Sequence, residues 1–207
     1  MNHKLFFAGF LMMTLSISAC STGAIKEGQP LPELTFKHLE PVPVLVSNIR
    51  INTSYDSTRL EEDISGQFPV PPDVAIRRYA NQRFKEVSDG NEYNNEIVID
   101  IVDSQVTKKV LEPEGTVSGW LGINKREEYK TDIKIEMRMY GASGNVTKKS
   151  EIFANRILQV PESLSLAERD AKQLDMIEAL INEIDPVMIR SLRDTFGVVS
   201  KMPEDIS

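Results

Sequence analysis

Few residues of this 207-residue chain could carry covalent chemistry: one cysteine, Cys20, and two histidines, His3 and His38. A Cys/His dyad, a Ser/His/Asp triad or a His-based metal site needs its donors brought together by the fold. Cys20 and His3 stand in the first twenty residues, and His38 sits in a polar stretch that reads as solvated linker. Gly115, Gly119 and Gly122 lack the Lys-Ser/Thr that completes a phosphate loop, and they do not open a helix. The pairs Glu61-Glu62 and Glu127-Glu128 have the residue types of a general acid/base couple. Charged runs in loops and at strand starts are ordinarily solvated, and both pairs are read that way. The expectation is a protein with no catalytic residue, no metal site and no cofactor, and therefore not an enzyme. A formal net charge of -7 offers nothing to neutralise a phosphate backbone, so nucleic acid is not expected as a partner.

What the lone cysteine does is set by its neighbours. Met1 to Lys4 form a short positive segment, and Leu5 to Ile17 follow without a charge. That stretch is shorter than the ~20 apolar residues a permanent bilayer span requires and has the form of a secretory signal. It ends in Ile17-Ser18-Ala19-Cys20, then polar Ser21-Thr22-Gly23. The segment resembles the lipobox of bacterial lipoproteins, with Ile17 where Leu is commoner. The resemblance implies cleavage before Cys20 and acylation (palmitate-type chains) of Cys20, which becomes the N-terminus. Ser21 in place of Asp is similar to the outer-membrane class, which implies a lipid-anchored, periplasm-facing protein of the cell envelope. An ordinary signal peptide with a spare thiol is the alternative. Two or more acyl chains hold a protein on a bilayer stably where one does not. No cysteine remains for a disulfide, so the body must be held by its core.

The elements that position everything else begin after a tether. From Cys20 to Pro43 the chain is polar and punctuated by Pro30, Pro32, Pro41 and Pro43; about twenty residues at ~3.1 Å each reach ~60 Å. Phe36 to Leu39 is apolar enough to dock on the domain. Val44 to Thr53 reads as a strand. Asp56 to Gly66 reads as a loop. After Pro71-Pro72, residues Ile76, Tyr79, Ala80, Phe84 and Val87 recur at helical spacing, with Arg77, Arg78, Gln82, Arg83 and Lys85 outward and Asp89-Gly90 as the stop. The basic residues could meet acidic headgroups or a partner, or be a plain polar face. Glu96 to Val106 is a strand apolar on both faces, so an inner one. Tyr129 to Met139 alternates strictly, Gly141 to Asn145 turns the chain, and Val146 to Val160 returns with Ser150, Ile152 and Ala154 inward and Phe153 covering an edge. Ser165 and Glu168 form a capping box before a helix marked by Ala167, Ala171, Leu174, Ile177, Ile181, Ile184, Met188 and Leu192. Asp185-Pro186 predicts a kink or a fresh start there, Gly197 the end, and residues 198–207 a loose tail.

With 41% hydrophobic and 27% charged residues the body is globular. The order β-α-β-β-β-α predicts a single α+β domain over residues 44–197, a two-layer arrangement of two helices and a mostly antiparallel sheet of about four strands. In that order, and with the lipobox, the chain resembles small outer-membrane lipoproteins of Gram-negative bacteria, among them envelope-assembly lipoproteins and the auxiliary lipoproteins of lipid-transporting ABC systems. Phe36 to Tyr55, Pro69 to Ala80 and Tyr129 to Gly144 look like a lipoprotein type of alphaproteobacteria. The resemblance implies fold and compartment and assigns no binding residue.

One segment exceeds what packing requires. Pro113 to Asn124 joins two strands that two to five residues could join, and it carries the only tryptophan, Trp120, beside Leu121 and between glycines. Trp is enriched in contact hot spots and at membrane interfaces. Trp120 and Leu121 are either a contact anchor or a cap folded over the open sheet. Three function classes follow: a non-catalytic accessory or assembly lipoprotein with an envelope protein partner, a lipid or glycolipid binding module of an envelope transport system, and, least supported, an envelope hydrolase.

Overall fold

The computed structural model describes residues 34–87, 93–112 and 125–199. Six strands and two helices follow one another: β1 (Val42–Val44), β2 (Asn48–Thr53), α1 (Pro72–Arg83), β3 (Phe84–Glu86), β4 (Glu96–Leu111), β5 (Arg126–Tyr140), β6 (Val146–Pro161) and α2 (Leu166–Arg190). The main sheet has the order β2-β4-β5-β6, and β1 and β3 form a second sheet of their own. β4, β5 and β6 are antiparallel neighbours, whereas β2 runs parallel to β4 with α1 as the connection between them. The architecture is α+β as the residue pattern predicts. Among the described residues no helix is long and apolar enough to cross a membrane.

The period-2 pattern of β5 sets the two faces. Tyr129, Ile133, Ile135, Met137 and Met139 are buried on the inner face, opposite Ile97, Ile99 and Ile101 of β4. A bulge between Ile101 and Asp103 shifts the register by one residue. Beyond it Ser104 and Val106, rather than Asp103, continue the inner face, and both are buried. The inner face joins Ile76, Tyr79 and Ala80 of α1 and Leu174, Ile177, Ile181, Ile184 and Met188 of α2 in one core.

Several boundaries differ from the expectation. The chain is packed well before residue 44: Leu34, Phe36 and Val42 are buried, and the Phe36 ring meets Tyr79 edge-on at 5.6 Å. Residues 34–43, expected as part of the tether, are thus packed on the domain through these apolar side chains. The expected strand over 44–53 is two strands in different sheets. Helix α1 stops at Arg83 rather than continuing through Phe84 and Val87, since Phe84 to Glu86 pair with β1. Val198 and Val199 are buried and Val198 accepts from the Leu45 N–H at 2.8 Å, so they belong to the core and not to a tail. Phe153 covers no edge. It is 68% exposed on the outer face, with the Lys134 ammonium 5.5 Å from its ring centre.

Helix α2 opens with the expected capping box: Ser165 N–H donates to Glu168 Oε2 at 3.0 Å and the Glu168 N–H to Ser165 Oγ at 3.4 Å. It runs through Pro186 without a fresh start. Asp185 does not cap a new helix, because its carboxylate is taken by α1. It accepts from the Tyr79 hydroxyl at 2.6 Å and from Arg83 Nε at 2.7 Å and Nη2 at 3.2 Å. Arg83, expected outward, is buried, and its Nη1 also donates to the Glu40 carbonyl. Burial and the neighbouring Asp185 push the Tyr79 hydroxyl pKa well above its ordinary value, so it stays a donor. A π turn, Ser191–Phe196, follows α2, and Gly197 at φ 71° ends it as expected.

This lock generates a stability test. Asp185→Asn leaves the Arg83 guanidinium, 9% exposed, without its counter-charge. Removing one partner of such a pair is expected to lower unfolding free energy by about 3 kcal/mol, whereas Tyr79→Phe removes one charge-assisted hydrogen bond and should cost about 1.5 kcal/mol. Urea unfolding of the two variants checks the order.

Candidate functional site

Two places combine polar side chains with a stage that could present them: the far end of the β4–β5 arm and the outer face of the sheet. The arm ends at Leu111, paired with Arg126, and Lys125 meets Glu112 at 3.1 Å just beyond. The segment Pro113 to Asn124 starts and finishes on these adjacent residues. Trp120 and Leu121, and likewise Cys20, lie outside the described residues.

Strand alternation puts Glu127 two residues before Tyr129 on the inner face, beneath the start of α2. It is therefore not the solvated charge expected for a strand start. Only 5% exposed, it accepts from Tyr129 Oη at 2.6 Å and meets Lys108 Nζ at 2.5 Å and Arg169 Nε at 3.1 Å. Burial works against its charged form, but the bonds from Lys108 and Tyr129 and the Arg169 charge outweigh it, so its pKa falls below the usual carboxylate value. Burial and then the Glu127 hydrogen bond push the Tyr129 hydroxyl up to about 12. The Gln173 side-chain oxygen is buried beside this group without a hydrogen-bond partner. Glu128, one residue on, points the other way and accepts from Gln159 Nε2 at 2.7 Å. The two glutamates face opposite sides of the sheet, which removes them as a general acid/base couple.

A second polar bracket closes the free edge of β4 past the end of β2. Asp63, in the 54–66 loop, accepts from the Val106 N–H at 3.1 Å and the Ser65 N–H at 2.9 Å, and from the Tyr55 hydroxyl. The Ile64 N–H donates to the Val106 carbonyl at 2.8 Å, so the loop supplies the bonds that a neighbouring strand would.

Among the described residues no helix covers the outer face, which is laid out in ion pairs. Arg50 of β2 bonds Glu96, Arg138 of β5 donates to Asp100 at 2.7 Å, and Ser54 adds a bond to Asp100 at 2.7 Å. Further along, Glu136 and Glu151 share Lys134 and Lys149. Arg50, Asn52, Glu96, Arg138 and Tyr140, with the Gly141 turn, line an open cavity of about 570 Å³ on this face. Its two arginines are already neutralised by carboxylates, so it offers hydrogen-bonding edges and one aromatic rather than net charge. A smaller cavity of about 310 Å³ lies between β2 and β3, lined by Ile49, Ile51 and Phe84 with Asn81, Lys85 and Glu86.

Of the other residues singled out in the sequence, His38, Glu61, Glu62, Arg77 and Arg78 are exposed and are not brought together with the groups above. Among the described residues no three His, Cys, Asp or Glu side chains converge as metal ligands. The groupings around Glu127, Asp63 and Asp185 were missed in the sequence. Only the first left a signal there, an acidic residue in phase with the buried face of a strictly alternating strand.

No protein-family model matches this chain, and no characterised protein matches it in sequence. Solved structures show a distant similarity to it. It is similar to a minor lipoprotein from Acinetobacter baumannii at 11% identity and a TM-score of 0.39, over 78% of this chain and 100% of that one. A candidate lipoprotein from Caulobacter crescentus matches at 9% identity and a TM-score of 0.38, over 70% of this chain and 86% of the other. A candidate homologue of the neuraminyllactose-binding hemagglutinin from Helicobacter pylori matches at 8% identity and a TM-score of 0.28, over 82% and 95%. No side chain of the sites above is carried over from them.

The Glu127 group predicts a pH signature. Because its pKa is lowered on folding, its contribution is fully present at neutral pH and is lost as pH falls through the folded-state value, below the ordinary ~4.3 of glutamate. Glu127→Gln should lower stability by about 2 kcal/mol at pH 7. Its deficit relative to the parent should shrink in acid. Chemical denaturation of both proteins at pH 7 and at pH 3 checks it.

Proposed function

We propose that this chain is a non-catalytic lipoprotein of the bacterial cell envelope. In this reading it is anchored through acylated Cys20 on the outer membrane, faces the periplasm, and serves as an accessory or assembly factor for an envelope protein. The observation that carries the reading is Ile17-Ser18-Ala19-Cys20 directly after an uncharged segment, in a chain with no other cysteine. The chemistry of the body supports a binding rather than a reacting protein. The carboxylates held inside it are committed: Glu127 to Lys108 and Arg169, Asp100 to Arg138, and Asp185 to Arg83. The long β4–β5 arm and the uncovered outer face supply rigid display surfaces.

The alternative, a lipid or glycolipid binding module, asks for an apolar cavity. Both cavities described above have charged and polar rims, and the inner side chains of sheet and helices pack into one apolar core. The accessory reading is therefore preferred.

Two expected outcomes test it. Cys20→Ala should move the protein from the membrane to the soluble periplasmic fraction or leave it unprocessed. A variant that is still cleaved and still membrane-bound defeats the anchor, as cell fractionation would show. Trp120→Ala separates contact from cap: a contact residue should leave stability within ~0.5 kcal/mol and weaken partner recovery by ~2 kcal/mol or more. A buried cap should instead cost ~3–5 kcal/mol of stability. Thermal unfolding with crosslinked co-purification reads both.

A further inference from the structure

Strand β6 is an edge of the main sheet. Edge strands present a row of unpaired backbone donors and acceptors, and natural proteins blunt them with lysines, prolines, bulges or a covering segment. The first half of β6 follows that rule, with Lys148 and Lys149 at its start and Lys149 and Glu151 engaged in ion pairs with β5. The second half, Ile152 to Val160, has Arg156 as its only charged residue. Among the described residues no strand pairs with its free side. Here the outer face shows Phe153 at 68% exposure and Ile157 at 55%, one Asn155 apart on the same face.

We infer that this edge pairs with the same edge of a second copy of this chain, antiparallel and centred on Asn155, joining two sheets into one continuous sheet. The choice of occupant rests on the self-complementarity of the strand. A two-fold axis perpendicular to a sheet keeps each side chain on its own face, so it can pass only through a residue position, never between two. Centred on Asn155, Phe153 of each copy lies across from Ile157 of the other, and Glu151 across from Gln159. On the inner face Ile152 lies across from Leu158, and Lys148 across from Glu162 at the ends. Aromatic against β-branched is a favourable cross-strand pair and like charges are not. Among other centres, Lys149, Glu151 or Arg156 on the axis sets like charges opposite each other. Phe153 on the axis sets Lys149 against Ile157. Asn155 on the axis repeats the Phe-Ile pair twice with no like-charge contact, and its two side-chain amides can bond each other.

The test uses the whole chain, in which Cys20 is the only native thiol. In the inferred register, Asn155→Cys places two thiols across one antiparallel pair, within the ~4.4–6.8 Å between Cα atoms that a disulfide needs. Glu151→Cys puts its thiols far apart, each against Gln159 of the other copy. Mild oxidation should give disulfide-linked dimer from the Asn155→Cys protein at least about tenfold faster than from the Glu151→Cys protein or the parent. Adding Ile157→Lys, a change at a position exposed in the single chain, should cut that rate about tenfold, through loss of the Phe-Ile cross-strand pair, and leave the far-UV circular dichroism spectrum unchanged. Light scattering of the parent should give twice the mass of one chain. Equal crosslinking of the two cysteine variants, no effect of Ile157→Lys, or a monomeric mass at all concentrations would each overturn the inference.

Discussion

The lock between the two helices is the interaction on which the arrangement depends. Helix α1 and the short strands around it come from the first half of the chain, and the β4–β6 meander with α2 from the second. Tyr79 and Arg83 of α1 meet Asp185 of α2 inside the core, and Arg83 carries the bond on to the Glu40 carbonyl. A buried charge tolerates little misplacement, because a partner lost by an ångström leaves a desolvated ion behind. Apolar packing would hold the helices together over a range of angles; this set of directed bonds selects one. The entering segment of residues 34–46 is tied in at the same place, with Phe36 against Tyr79 and the Phe36 N–H on Gln82. One acidic side chain thus serves α1, α2 and the start of the domain.

The sheet divides the remaining physics between its faces. Inside, isoleucine and methionine from β4 and β5 are excluded from water by two helices, and the hydrophobic effect supplies the drive. Outside, alternating lysine, arginine and glutamate form a lattice of ion pairs that contributes little to stability in water but keeps the uncovered face from sticking. Where the division is broken, the break sits at an end of the sheet. Glu127 is on the dry face at the tip of the arm, and Phe153 and Ile157 are on the wet face along one edge. The first bolts the end of the arm to α2. The second leaves two large apolar side chains exposed on the outer face.

On the proposed reading, the protein works by displaying surfaces. Glu127, Asp100 and Asp185 hold the fold together, each bound by one or two cations. Such a body on a lipid tether would act through what touches its arm, its open face and its free edge.

Much of this was legible in the residues alone. Strict alternation in Tyr129 to Met139 determined a half-buried strand, the Gly141 to Asn145 turn its hairpin, and Ser165 with Glu168 the start of α2, because period and capping are local properties of the backbone. The α+β order followed from those elements. Other features depended on partners far away in sequence. Arg83 reads as an outward basic residue until Asp185, about a hundred residues later, is brought against it. Phe84 reads as helix until Val42 offers it a strand, and Pro186 reads as a break until the buried face from Leu174 to Met188 keeps the helix continuous through it. Glu127 reads as solvated until α2 closes over it with Arg169. Local sequence determined which elements form; tertiary structure decided where they stop and which charges lie inside, because desolvation and long-range pairing depend on neighbours that no stretch of sequence contains.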